Sequence, residues 1–203
     1  MMSLSQLALL FFVVTNPIGN APAILALLKD FDVAKQQRIL LRESLFSMIL
    51  AVVFLFLGET FLSRLQVADY ALTMSGGVLL FIVALRMIFV DRRPKQTKAL
   101  SQIEPFIVPI ATPLLSGAGL LTMIMLQSKR EANDTKVFFA ICMAWVGITA
   151  VLVLSPYLQV LFGKRGMAAL EQLMGMLLAM VSMEMIVKGT ALFIAVLSTT
   201  NGG

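Results

Sequence analysis

Two short stretches hold the residues best placed to do chemistry. Asn16-Pro17-Ile18-Gly19-Asn20-Ala21-Pro22 interrupts an apolar run near the N-terminus, and Thr112-Pro113-Leu114-Leu115-Ser116-Gly117-Ala118-Gly119 interrupts another at mid-chain. Proline removes a helical hydrogen bond and clashes with a preceding carbonyl. Glycine loosens the backbone, and Asn, Thr and Ser cap a helix that restarts. Each stretch reads as a helix that stops and begins again. The restarted half offers N–H groups and a positive dipole end, suited to a carboxylate; the ended half offers carbonyls, suited to an ammonium. Neither stretch carries a charged side chain, so a neutral zwitterion fits better than a net cation or anion. Gly19, Asn20, Ala21, Ser116, Gly117, Ala118 and Gly119 are small and leave room for close backbone approach. The candidate binding residues are Asn16, Pro17, Gly19, Asn20, Thr112, Pro113, Ser116, Gly117 and Gly119. A single proline kink in an apolar helix is usually packing alone; two kinks at corresponding places favour a shared role.

Two ionisable residues, Arg86 and Glu184, fall inside other apolar runs. Charges at such depth are costly and often functional, which makes them candidates for coupling transport to an ion. Each also has a plainer role. Arg86 is about a turn from the end of its run and can snorkel to the interface. Glu184 stands four residues before Lys188, a favourable helical pair. Met174, Met176, Met180, Met183 and Met185 cluster near the C-terminus, but with no histidine partner they read as flexible packing, and no metal or cofactor is expected. The lack of histidine also removes imidazole proton relays and His-activated nucleophiles. Cys142, the one cysteine, has no partner for an internal disulfide and reads as a small buried residue. There is no Gly-x-x-x-x-Gly-Lys phosphate loop, and no Asp well inside an apolar run. The chain is therefore expected neither to hydrolyse ATP nor to be an enzyme.

These residues belong to a chain built for hydrocarbon. Of 203 residues, 59% are hydrophobic and 13% charged, where a soluble domain carries about 25% charged residues. A membrane-spanning helix needs about 20 mostly apolar residues. Six stretches qualify: Leu4–Leu28, Arg38–Leu62, Tyr70–Val90, Pro105–Gln127, Val137–Leu161 and Met167–Leu197. The first has no basic residue before Lys29 and is broken by polar residues, so it is not read as a cleaved signal peptide. The net charge of +5 is not a nucleic-acid signature, because the basic residues sit in short connections. The first, third and fifth connections carry ten Lys/Arg between them, the second and fourth only four. The positive-inside rule then puts both termini outside the cytoplasm.

The chain also resembles itself. Gly77, Leu79-Leu80 and Met87-Ile88 recur 98 positions later as Gly175, Leu177-Leu178 and Met185-Ile186, and Pro17 and Pro113 lie 96 apart. Each half is a broken helix, a helix and a glycine-containing helix. Three spans is an odd number, so the halves must be inverted with respect to each other, as in many secondary transporters. The expected fold is all-α: one polytopic transmembrane domain over 1–203, six helices as two inverted three-helix repeats (about 1–98 and 99–203), with helices 1 and 4 broken.

Asn16-Pro17-Ile18-Gly19-Asn20, Pro105-Phe106-Ile107-Val108-Pro109-Ile110-Ala111-Thr112-Pro113 and Leu170-Glu171-Gln172-Leu173-Met174-Gly175 together resemble the MarC family over nearly the whole chain. Asn16, Pro17, Gly19 and Asn20 match its first motif; Pro109, Pro113 and Gly117 match its second. Where the family usually has Gly-Pro this chain has Gly117-Ala118, which implies a less rigid second break. The resemblance implies a six-span inner-membrane protein of prokaryotes, related to the LysE-type exporters. It also implies, from some members, transport of small neutral amino acids such as glycine and alanine, with proton or sodium coupling. The expected partners are that small molecule and the lipid bilayer, with no nucleic acid; a homo-oligomer is compatible with such a chain. The competing expectations are export of another metabolite or antibiotic, and a membrane scaffold with no cargo.

Overall fold

The computed structural model describes residues 2–89, 115–131 and 133–200, and among these every regular element is an α-helix. They are α1 (Leu4–Thr15), α2 (Pro17–Leu27), α3 (Val33–Arg64), α4 (Asp69–Phe89), α5 (Ala118–Arg130) and α6 (Asp134–Thr200). Local sequence sets the boundaries. Ser3 caps α1 through a reciprocal pair, accepting from the Gln6 backbone N–H while Gln6 accepts from that of Ser3. Asp32 caps α3 by accepting from the Lys35 N–H. Inside α6, Gly163 has φ 63° and ψ 179°, a region open essentially to glycine alone. It divides α6 into two arms, Asp134–Gly163 and Arg165–Ser198.

Five helical stretches are long and apolar enough to cross a membrane: Leu4–Leu27, Val33–Gly58, Asp69–Phe89 and the two arms of α6. These correspond to five of the six expected spans. Of the other, Pro105–Gln127, the part up to residue 114 lies outside the described residues, as do Thr112 and Pro113 and the Pro105–Pro113 motif. Its remainder forms the start of α5. Burial follows membrane logic. Leu57, Phe61, Val146, Val160 and Leu161 point outward, while Asn16, Glu43, Ser44, Ser47, Thr73 and Ser182 are buried. Apolar residues outside and polar ones inside is what a lipid solvent asks for. Phe11, Leu40, Leu55, Ile124, Ile141 and Ile148 fill the centre between the polar groups.

Side-chain pairs fix the directions of the helices. Gln37 with Val153 and Ser44 with Thr149 make α3 antiparallel to the first arm of α6. Asp69 with Lys129 and Gly76 with Thr122 make α4 antiparallel to α5, whereas Ser47 with Ser116 and Gly58 with Met125 make α3 parallel to it. The first arm of α6 therefore runs with α4, and the second runs against it, so the chain reverses at Gly163.

The α4–α6 interface is closed by glycines. A Cβ on Gly77 would stand 2.8 Å from Ile186 Cγ1 and 3.0 Å from the Ser182 carbonyl. A Cβ on Gly175 would stand 3.1 Å from Ile88 Cγ1 and 3.3 Å from the Ala84 carbonyl. These two contacts of the first glycine recur at the second with positions exchanged across the spacing of 98, while Gly175 also meets Met87 Cβ at 2.9 Å. Gly77→Ala is expected to force α4 and α6 apart and cost about 1–3 kcal/mol, the usual range for overpacking. Gly147→Ala meets only the Phe12 ring at 3.4 Å and 3.5 Å and should stay within about 0.5 kcal/mol of wild type. Thermal unfolding in detergent compares the two.

Candidate functional site: a cavity between the two helix breaks

The first break turns on Asn16. Its backbone is left-handed at φ 53° and ψ 54°, a conformation asparagine tolerates better than most residues. It ends α1 by donating its N–H to the Phe12 carbonyl, and it caps α2 by accepting from the Gly19 N–H at 3.2 Å. Its side-chain amide also reaches Met87 Sδ on α4 at 3.0 Å. Asn20 returns to the Thr15 carbonyl at 3.0 Å. Pro17 opens α2 and has no N–H with which to continue the ladder onto Val13. The chain thus breaks where expected, but its own asparagines satisfy part of what the break exposes.

At the second break, Leu115 and Ser116 are buried and Gly117 is the N-cap of α5, with no side-chain hydrogen bond to the first turn. The uncapped helix start keeps its positive dipole end available. Ser116 does not face a ligand space. It donates to the Ser47 carbonyl at 3.1 Å, and the two hydroxyls lie 2.6 Å apart, tying the break to α3.

The first break and the start of α5 open onto one cavity of about 550 Å³. Asn16, Gly19 and Asn20 enter from the first break, Leu115, Gly117 and Gly119 from the second, with Leu80, Val83 and Leu178 as apolar wall. Arg86 on α4 and Glu171 on α6 also line it, so charges of both signs face the same space. Of the candidates read from sequence, the structure gathers Asn16, Gly19, Asn20, Gly117, Gly119 and Arg86 here. Pro17 is buried behind the wall, Ser116 turns to α3, and Thr112 and Pro113 lie outside the described residues.

Glu184 is elsewhere. It is exposed, bonds Lys188 at 2.9 Å, and lines a second cavity of about 610 Å³ at the opposite end of the bundle. That cavity also holds Thr73, Gln127, Arg130 and Glu131. Lys136 beside Glu131 and the Met2 backbone N–H hold the Glu131 carboxyl below its ordinary value, and the Met2 bond ties the N-terminal residues to the end of α5. The two cavities approach each other. Leu10, Met123 and Val181 line one; Val14, Leu120 and Leu178 line the other. On each of three helices the separation is a single turn, about 5 Å along the axis. Ile82, Val83, Arg86 and Met87 of one wall recur 98 positions on as Met180, Val181, Glu184 and Met185 of the other.

Sequence reasoning passed over two residues. Glu171 was legible only as part of a motif at the start of the last span. Glu43 follows Arg42 near the start of the expected span Arg38–Leu62 and is fully buried.

This is a polytopic helical membrane protein with paired cavities at opposite ends and a broken helix between them. The chain belongs to the MarC family: the model of the MarC family integral membrane protein matches residues 1–194. It is 34% identical over 194 residues to a UPF0056 membrane protein of Buchnera aphidicola subsp. Baizongia pistaciae, covering 93% of this chain and 96% of that one. It is 34% identical over 183 residues to the UPF0056 inner membrane protein YhgN of Escherichia coli K12, covering 90% and 93%. A Chlamydia pneumoniae UPF0056 membrane protein is 33% identical over 193 residues, covering 95% and 96%. No solved structure matches.

Asn16→Gly keeps the left-handed backbone and, with the side-chain cap lost, should cost a few tenths of a kcal/mol; Asn16→Ala loses both and should cost about 1–2 kcal/mol. Denaturation midpoints of the two variants in the same detergent give the order.

Proposed function

We propose that this protein is a secondary transporter of small neutral amino acids such as glycine or alanine, working by alternating access between two inverted three-helix repeats. The observation that carries the reading is the meeting of the first helix break and the uncapped start of α5 in one cavity, with Arg86 and Glu171 on its wall. The uncapped start of α5 and the Arg86 guanidinium suit a carboxylate; Glu171 and the carbonyls ending α1 suit an ammonium. A zwitterion satisfies both sets. The exchanged contacts of Gly77 and Gly175 support the inverted repeat, and two cavities a helical turn apart support access that switches sides. With the positive-inside orientation the termini lie outside the cytoplasm, and the cavity of Arg86 and Glu171 opens toward it. In this reading the chain performs no covalent chemistry, and its partners are the cargo and the bilayer.

The volume of the cavity favours a second reading, export of a larger metabolite, because glycine fills little of 550 Å³. No aromatic side chain lines the wall among the described residues, which disfavours flat drug cations.

Thermal stabilisation by ligand separates these readings from a scaffold with no cargo. Glycine, alanine or serine at about a hundred times its dissociation constant should add about 2.7 kcal/mol to a binder. Arg86→Gln, at an exposed position, should lower that gain without changing the unliganded melting temperature. Stabilisation by methionine but not by the small amino acids would select the larger cargo. No gain with any of the four, for protein kept in native lipid, would contradict the transport reading.

A further inference from the structure

We propose that Glu43 is the proton-binding residue of this transporter, with Oε2 the atom that takes the proton. The purpose assigned to that proton rests on the transport reading above; the assignment of the site does not. Glu43 lies on α3 with none of its surface exposed. Its Oε1 accepts from the adjacent Arg42 at 3.1 Å and 3.0 Å. Its Oε2 is buried and has no hydrogen-bond partner among the described residues. Buried polar atoms are nearly always paired, and charge held away from water is costly unless it is paired on every side. A carboxylate with one oxygen spent and the other unspent is poised to change its charge by taking a proton on the unspent oxygen.

Among the described residues Arg42 is the charge bonded to Glu43. Gln37–Val153 and Ser44–Thr149 set the level of the first arm of α6 beside Glu43, and the arm carries no charge there. Its Asp134 and Lys136, and Lys129 and Arg130 of α5, stand at the far end of the bundle. Lys29 and Asp30 follow α2 at the level of Gln36, about two turns from Glu43. On α3 itself Lys35 and Arg38 lie nearer the helix start, lining a surface groove with Arg42. Arg42 is one-third exposed, so its guanidinium stands at the edge of the bundle.

Glu43 is also wired to the site. Ser47 is one turn along the same face of α3 and exchanges hydrogen bonds with Ser116 of the second break. The proton arrives from water at one membrane face, binds Oε2 with no electron transferred, and loosens Oε1 from Arg42. It leaves to water at the other face when the carboxylate re-forms. Any shift of α3 that follows is felt at Ser116.

The chain supplies its own reporter. Trp145, its one tryptophan, donates its indole N–H to the carbonyl of Ser44, the residue next to Glu43. Tryptophan emission is followed against pH in lipid nanodiscs with no cargo present. Wild type should show one transition, Glu43→Gln should lose it, and Glu184→Gln should keep it. A wild type without a transition, or a transition that survives in Glu43→Gln, overturns the proposal. Should Glu43→Gln not fold, Arg42→Gln decides: removing the bonded charge must move the midpoint, and an unmoved midpoint overturns the assignment. In proteoliposomes, Glu43→Gln should lose the stimulation of alanine flux by a proton gradient, and retained stimulation overturns the coupling role. Absence of amino-acid flux in wild type, with the emission transition intact and lost in Glu43→Gln, would overturn the substrate and leave the proton site standing.

Discussion

A helix that stops inside a bilayer strands backbone groups where no lipid can satisfy them, at several kcal/mol for each left alone. Everything at the centre of this protein follows from how that cost is met. At the first break Asn16 adopts the left-handed backbone, ends α1 on Phe12 and caps α2 at Gly19, while Asn20 covers the Thr15 carbonyl. At the second break no side chain caps α5, and Ser116 is occupied with Ser47. The two breaks are therefore unequal. One is largely satisfied by its own residues; the other presents an open helix start to the cavity. The uncapped start of α5 leaves a positive dipole end on the cavity wall, whereas the first break covers most of its own groups.

The same economy explains the glycine seam. α4 and the second arm of α6 approach until Gly77 and Gly175 leave no space for a methyl group. Close small-residue contact of this kind is how helices associate in lipid, where burial of apolar surface gives no advantage. It also keeps the two cavities, whose walls are supplied by these helices, within a turn of each other. Leu120 and Leu178 of one cavity stand about a turn from Met123 and Val181 of the other, so little apolar material lies between the two ends. Only small displacements of packed helices are needed to move that material.

Much of this was legible in the residues. Asn16-Pro17 announces a stop and restart, and the apolar runs announce the spans because their length and lack of charge admit few alternatives. Gly77 and Gly175, read as corresponding positions 98 apart, both stand where α4 packs on α6, which the spacing alone did not foretell. What was not legible depended on partners far away in sequence. Ser116 looked like a ligand because it sits in a break, but Ser47, brought alongside by α3, takes its hydroxyl. The reversal between the last two spans was legible from their connection, but only φ and ψ place it at Gly163. Glu43 went unremarked although it lies within the expected span Arg38–Leu62, and its burial arises from the packing of α3 against α5 and α6. Arg86 and Glu184 correspond in sequence, yet tertiary packing sends them to opposite cavities.

The central claim is that the two cavities are the alternating entrances of one path. Val83 and Val181 correspond across the repeat spacing and line different cavities. With Cys142 replaced by alanine, a cysteine at each position in turn can be challenged with a membrane-impermeant maleimide in right-side-out and inside-out vesicles. The account predicts that the two positions react from opposite faces, and that saturating alanine slows both. Reaction of both from the same face, or of neither from any, would contradict it.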